Sequence, residues 1–131
     1  MSKLRVIIAG GRDFKDYVFL KKVMDKLLRN YNPEDIEIVS GCQVSKYGYA
    51  KWGADYFGEK YAEERGIDVK RFPADWDKYG RAAGPRRNHE MAEYGTHCAL
   101  FWDGKSKGSR NMKQLAERYE LKFKEFIAEY K

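Results

Sequence analysis

Short runs rich in apolar residues alternate along the chain with longer segments in which apolar residues recur every three or four positions. Four runs have the length and composition of strands in a buried parallel sheet: residues 4–9, 36–41, 67–72 and 98–102. A fifth run, residues 121–127, fits neither the strand period nor the helix period cleanly, and we predict an edge strand there. The pattern thus predicts a sheet of about five strands.

Amphipathic helices are predicted between these runs, because apolar residues recur there at helical spacing. They cover residues 19–31, 54–62, 85–92 and 112–119. Pro85 suits the first position of the third helix, where a backbone N–H has no helical partner. Ser109 is placed to cap the fourth helix, and residues 73–84 are predicted to form a loop. Strands and helices therefore alternate along the whole chain.

This alternation implies a mainly parallel sheet with helices on both faces. Right-handed crossovers make such a sheet Rossmann-like. With 131 residues, of which 43% are hydrophobic, the chain is long enough for one substantial core and too short for a second. We therefore predict a single three-layer α/β domain over residues 1–131, in which ligands bind beyond the carboxyl ends of the strands.

Glycine, hydroxyl, amide and arginine groups are concentrated in two segments where a turn leads into a helix, residues 84–88 and 106–111. Free N–H groups at a helix start, the positive end of the helix dipole and an arginine fork all favour an anion. The sequence therefore predicts a phosphate-binding site. The predicted ligand-binding residues are Gly10, Gly11, Arg12, Ser40, Gly41, Arg81, Gly84, Arg87, Asn88, Ser106, Gly108, Ser109 and Asn111.

Composition narrows the classes of function. The formal net charge is +6, but much of the excess lies on predicted helix surfaces, and no zinc-finger, homeodomain or RNP motif accompanies it. Nucleic acid is therefore a less favoured partner than a small molecule. No apolar run approaches the roughly 20 residues that span a bilayer, so we expect a cytoplasmic protein without a membrane partner. The two cysteines and two histidines lack metal-ligand spacing, so neither a metal nor a cofactor is expected.

Several blocks of the sequence, in order, resemble the SLOG superfamily of Rossmann-like proteins, which includes LOG-type cytokinin-activating phosphoribohydrolases and DprA/Smf proteins. The resemblance is to the small YspA-related branch of bacteria and phages in particular. The matching blocks lie at residues 6–14, 39–41, 53–55, 72–76, 79–85, 87–88, 91–92, 101–102, 106–109 and 111–112. This resemblance implies a nucleotide or nucleotide-derived ligand, together with a homodimer or homotetramer.

The resemblance does not fix a reaction. LOG hydrolases carry a glutamate shortly after their Gly-Thr turn, and Met112 stands at that place here. Cleavage of an N-glycosidic bond needs a carboxylate near the ribose. Asp13 and Asp55 are the catalytic candidates because both lie in matching blocks. Each also suits a structural role, Asp13 in a loop and Asp55 at a helix start.

Residues 43–52 depart from the family pattern, because the family usually closes this glycine loop tightly. The inserted loop is rich in aromatic residues and lysine, including Tyr47, Tyr49 and Trp52. Two interpretations stay open. The rings either pack on the domain or on another subunit, or they belong to a lid that stacks on a base while its lysines meet phosphate.

The residues and the resemblance together favour a protein that binds a phosphorylated nucleotide or nucleotide-derived signal, as a sensor or a sequestering protein. The first alternative is a nucleoside-monophosphate phosphoribohydrolase. The second is DprA-like binding of single-stranded DNA, which requires a continuous basic groove.

Overall fold

Five strands form one parallel sheet in the computed structural model, which describes residues 3–42 and 52–127. The strands are β1 Leu4–Gly10, β2 Ile36–Ser40, β3 Asp68–Arg71, β4 His97–Trp102 and β5 Lys122–Ile127. Their order across the sheet is β3-β2-β1-β4-β5, and every neighbouring pair is parallel. The predicted α/β class, the Rossmann-like topology and the edge strand at the end of the chain are confirmed.

Helices cover both faces of this sheet. They are α1 Tyr17–Leu28, α2 Ala54–Arg65, α3 Trp76–Tyr79, α4 Ala83–Tyr94 and α5 Lys107–Arg118. Successive residues of β1 point to opposite faces, so Ile8 packs in a core with α1 and α2, whereas Ile7 packs in a second core with α4 and α5. None of the described helices is long and apolar enough to cross a membrane.

The strand order reverses between β1 and β4, which places a crevice at their carboxyl ends. From β1 the chain moves outward through β2 to β3, and then returns through α4 to β4 on the other side of β1. At this end Gly10 pairs with Phe101, and the N–H of Gly11 donates to the Phe101 carbonyl at 3.0 Å. Ligands of parallel α/β sheets bind at such a switch in strand order.

The segment predicted as a loop at residues 73–84 is partly helical. It contains α3, a single 3₁₀ turn at Gly80–Ala82 and the start of α4. Pro85 is therefore the third residue of its helix and not the first. Proline is tolerated there because N–H groups in the first turn have no helical acceptor.

The predicted cap of the last helix is also wrong. Ser106 is the N-cap of α5, and its Oγ accepts the N–H of Ser109 at 3.5 Å. Ser109 lies inside the first turn and is buried, with 4% of its surface exposed. Both serines precede the apolar stripe, and the stripe alone does not tell which one begins the helix.

Candidate functional site

A cavity of about 520 Å³ opens where β1 and β4 end. Its wall is formed by the loop after β1, by the first turns of α4 and α5, and by single residues of α2 and α3. Most residues that the sequence marked for the site lie in this wall: Gly10, Gly11, Arg12, Asp13, Asp55, Arg81, Gly84, Arg87, Asn88, Ser106, Gly108, Ser109 and Asn111. The topology thus brings together groups that are spread over most of the chain.

The first turn of α5 lies in the cavity wall, and the first N–H groups of a helix have no acceptor within the helix. A Cβ added at Gly108 meets no atom of the described residues within 4 Å, so the space beside this residue is open. Ser109 follows in the wall, and its Oγ has no hydrogen-bond partner in the part of the chain that the structure describes. A buried hydroxyl without a partner is rare in proteins. The turn therefore offers several donors to a small anion.

Asp103 organises the loop that leads into this helix. Its carboxylate accepts the backbone N–H groups of Lys105, at 2.8 Å, and of Ser106, at 3.0 Å. These two hydrogen bonds lower the pKa of Asp103, because they favour the ionised form. Asp103 thus fixes the conformation of the loop that precedes α5 at the edge of the cavity.

Arg87 is the buried cation of the site, with 7% of its surface exposed. Its Nε donates to Asn88 Oδ1 at 2.9 Å, and its Nη1 donates to the carbonyl of Gly41. Burial lowers the pKa of the guanidinium, and the nearby carboxylate of Asp55 opposes that shift. Since arginine keeps its proton far above neutral pH, a fixed positive charge lies in the cavity wall.

Asn88 joins the two helices that flank the cavity. Its Nδ2 donates to Asn111 Oδ1 at 3.0 Å and to the Gly108 carbonyl at 3.4 Å. Its Oδ1 accepts from Arg87 at the same time. The network sets the start of α5 relative to α4, and therefore sets Gly108 relative to Arg87.

Ser40 and Gly41 lie outside the cavity wall, although they were predicted to bind the ligand. The hydroxyl of Ser40 donates to Glu59 Oε2 at 2.7 Å and accepts the Cys42 N–H at 3.1 Å. The carbonyl of Gly41 holds Arg87, and a Cβ at Gly41 would come within 2.8 Å of Arg87 Nη1. Both residues lie beside the site and not in its wall, because β2 is on the far side of β1 from the β1–β4 crevice.

The last residue of β1 must be glycine. Gly10 has φ +151°, and a Cβ there would stand 1.8 Å from the Phe101 carbonyl oxygen. The loop after β1 is then tied to the start of α2, because the N–H of Ala54 donates to the Gly11 carbonyl at 3.1 Å. This arrangement holds Arg12 at the cavity edge.

Comparison with known proteins assigns the chain to a family. Residues 4–79 match the family described as "YspA, cpYpsA-related SLOG family". The chain belongs to this SLOG family. It is 31% identical over 121 residues to the "Gene 61 protein" of Mycobacterium phage D29, an alignment that covers 87% of this chain and 89% of the phage protein.

A solved structure described as a predicted subunit of tRNA methyltransferase from Methanocaldococcus jannaschii is similar over the full length of this SLOG chain. The TM-score is 0.45 and the identity is 14%, with 70% of that chain covered. The family match itself ends at Tyr79, so Arg87 and the first turn of α5 lie beyond it. Membership of the SLOG family supports a nucleotide-related ligand or reaction in general terms.

The two carboxylates that the sequence singled out occupy different environments in this SLOG domain. Asp55 lies in the first turn of α2 and is 6% exposed. Its carboxylate is close enough to Arg87 to stabilise the charged guanidinium. Asp13 is exposed in the loop after β1. Met112 is buried in the cavity wall beside Met91, so a thioether stands where the resemblance places the acid of LOG hydrolases.

The aromatic residues of the SLOG chain divide between its core and the cavity. Phe101 and Trp102 are buried in the core. Trp52, the last residue of the inserted loop, packs partly buried against the α1–α2 core, and the Lys15 ammonium lies 4.9 Å from its ring centre. The packing interpretation therefore holds for Trp52, whereas residues 43–51 of the predicted loop lie outside the described residues.

Trp76 is the site residue that sequence reasoning missed. It was not among the predicted ligand-binding residues, but it lies in the cavity wall and 49% of its surface is exposed. A tryptophan before a glycine-rich helix start gives no sign of its exposure in the sequence. Only the packing of α3 on α4 shows it.

Proposed function

We propose that the cavity binds a phosphorylated nucleotide or nucleotide-derived ligand, with a phosphate group at the first turn of α5. The observation that carries this proposal is the buried hydroxyl of Ser109, which has no partner among the described residues and lies beside the open turn at Gly108. An anion at this position accepts from the hydroxyl and from backbone N–H groups together, aided by the helix dipole.

The charges of the wall support an anionic guest. Arg12, Arg81 and Lys107 are exposed around the cavity, and Arg87 adds a buried positive charge. Two of the three carboxylates in the wall already interact with other groups. Asp103 accepts two backbone N–H groups, and Asp55 lies near the positive charge of Arg87. The four cationic side chains of the wall outnumber its three carboxylates by one, so the formal charge of the wall is positive, which favours an anion.

The size of the cavity also suits a nucleotide. Its volume of about 520 Å³ lies within the range of roughly 300–1,000 Å³ that small-molecule sites occupy. The ligand-binding residues come from rigid helix starts and a tied loop, so the site needs little ordering on binding. We propose on this basis a sensor or sequestering role, in which the bound nucleotide is held and not consumed.

The competing hydrolase function is tested by base release. Because Met112 offers no carboxylate and Asp55 is buried near the Arg87 guanidinium, we expect no appreciable release of free base from AMP or GMP. Chromatography of long incubations measures this. Robust release that disappears in Asp13→Asn would instead establish a hydrolase with Asp13 as its acid or base.

A glycine substitution tests where the phosphate lies. In Gly108→Ala the new methyl group clashes with nothing, and alanine favours a helix over glycine by up to about 1 kcal/mol, so we expect a free protein at least as stable. The methyl group covers the N–H groups of the turn, and the affinity for AMP should fall about tenfold. Calorimetric titration measures the affinity, and thermal unfolding measures the stability.

Gln114→Ala is the matched control for that substitution. Gln114 is exposed on the same helix, outside the cavity wall, and its replacement should leave AMP affinity unchanged. Unchanged affinity in Gly108→Ala would show that the phosphate does not bind at the first turn of α5.

A further inference from the structure

Trp76 gives the cavity a flat apolar surface. It is the one aromatic side chain among the described residues of the wall. Its exposed fraction of 49% leaves a large apolar area in contact with water in the free protein. Tryptophan so exposed beside polar groups is typical of recognition sites, because the ring supplies contact area at a small cost in side-chain entropy.

The indole is held in place from one side. A Cβ added at Gly84 would lie 3.3 Å from Trp76 Cη2 and 3.9 Å from Cζ3, so the six-membered ring lies close against the backbone of α4. The short helix that carries Trp76 is capped by Asp75, whose Oδ1 accepts the Lys78 N–H at 3.1 Å. The ring is therefore positioned by packing before any ligand arrives.

We propose that Trp76 is the base-stacking subsite of the cavity, an inference that rests on the proposed function. The groups suited to phosphate lie in the first turn of α5 and at Arg87, and the other apolar wall residues are aliphatic, Ala9, Met91 and Met112 among them. A nucleobase gains most from a flat π-face, and stacking on an aromatic side chain tolerates every base.

The ligand class follows from this subsite. Trp76 distinguishes a nucleotide from a sugar phosphate that lacks a base, and it discriminates only weakly between purines and pyrimidines. Selection among bases then depends on hydrogen bonds at the base edges, and Trp76 contributes none of these while it stacks face on.

The test compares two probes that share a phosphate and a ribose, AMP and ribose 5-phosphate. In Trp76→Ala we expect the affinity for AMP to fall between about 5-fold and about 150-fold, while the affinity for ribose 5-phosphate stays unchanged. Trp76→Phe keeps a π-face and should recover most of the loss. AMP should also quench the tryptophan fluorescence of the wild type and not that of Trp76→Phe, since Trp102 is buried and Trp52 lies outside the wall.

A second variant keeps the indole and displaces it. Gly84→Ala places a methyl group 3.3 Å from Trp76 Cη2, so the ring must shift by a few tenths of an ångström, and AMP binding should weaken more than ribose 5-phosphate binding. If Trp76→Ala weakened the binding of both probes equally, or did not weaken AMP binding, the stacking proposal would be overturned while the phosphate site would stand. Failure of the wild type to bind either probe would overturn the phosphate site, and the stacking subsite with it.

Discussion

Arg87→Ala is expected to lower the free energy of unfolding by about 3–5 kcal/mol, the usual cost of removing one member of a buried charge pair. The guanidinium is 7% exposed and donates to the Gly41 carbonyl and to Asn88. Its loss leaves the buried Asp55 carboxylate without the cation that faces it, and leaves the Gly41 carbonyl without its donor. Each buried polar group that loses its partner adds to this cost.

Urea denaturation measures this loss, and the neighbouring residue provides the control. Arg86 is exposed and stacks over the Tyr79 ring, with the guanidinium carbon 4.1 Å from the ring centre. Arg86→Ala should therefore cost no more than about 1 kcal/mol. Arg87→Lys keeps the charge but not the fork of donors, so it should fall between the two. Equal small losses at both arginines would contradict a structural role for Arg87.

Ser109→Ala is expected to change stability and affinity in opposite directions. The buried hydroxyl has no partner in the described part of the free protein, so its removal should leave the protein equally stable or more stable by about 1 kcal/mol. A hydrogen bond to a charged phosphate is worth about 1.5–3 kcal/mol, and the affinity for AMP should fall between about 10-fold and about 150-fold. Thermal unfolding and calorimetric titration measure the two effects.

The other serine of this turn gives the contrast. Ser106 caps α5, and Ser106→Ala should destabilise the protein by about 1 kcal/mol. A comparable loss of stability in Ser109→Ala would show that its hydroxyl is bonded in the folded protein. The observation on which the phosphate site rests would then be withdrawn.

The layout of the site was predictable because topology determines it. Runs such as residues 4–9 and 98–102 are apolar enough to identify buried parallel strands, and the alternation with helices fixes their direction. Parallel strands end at one edge, so the glycine and arginine segments that follow them must converge there. Gly10 and Arg87 were found in this way, without any knowledge of packing.

Features that depend on lateral position or side-chain packing could not be predicted. Ser40 ends a strand, as Gly10 does, but its strand lies one place from the crevice. The helix α3 is too short to show a period, so the sequence does not show that Trp76 lies against Gly84 with half of its surface exposed. Ser109 was predicted as the cap of α5, and the hydrogen bond from its N–H to Ser106 Oγ shows that the helix begins three residues earlier.

The central claim is that a phosphorylated nucleotide binds at the first turn of α5. Amide NMR spectra of the isotope-labelled protein, titrated with AMP, test it most directly because they report each backbone N–H separately. The account predicts the largest shifts at Gly108 and Ser109, smaller shifts in the loop at Gly10 and Gly11, and none at Lys22 on α1. Shifts spread over the lysine-rich surface of α1, with Gly108 and Ser109 unmoved, would contradict the account and indicate diffuse attraction to the positive charge.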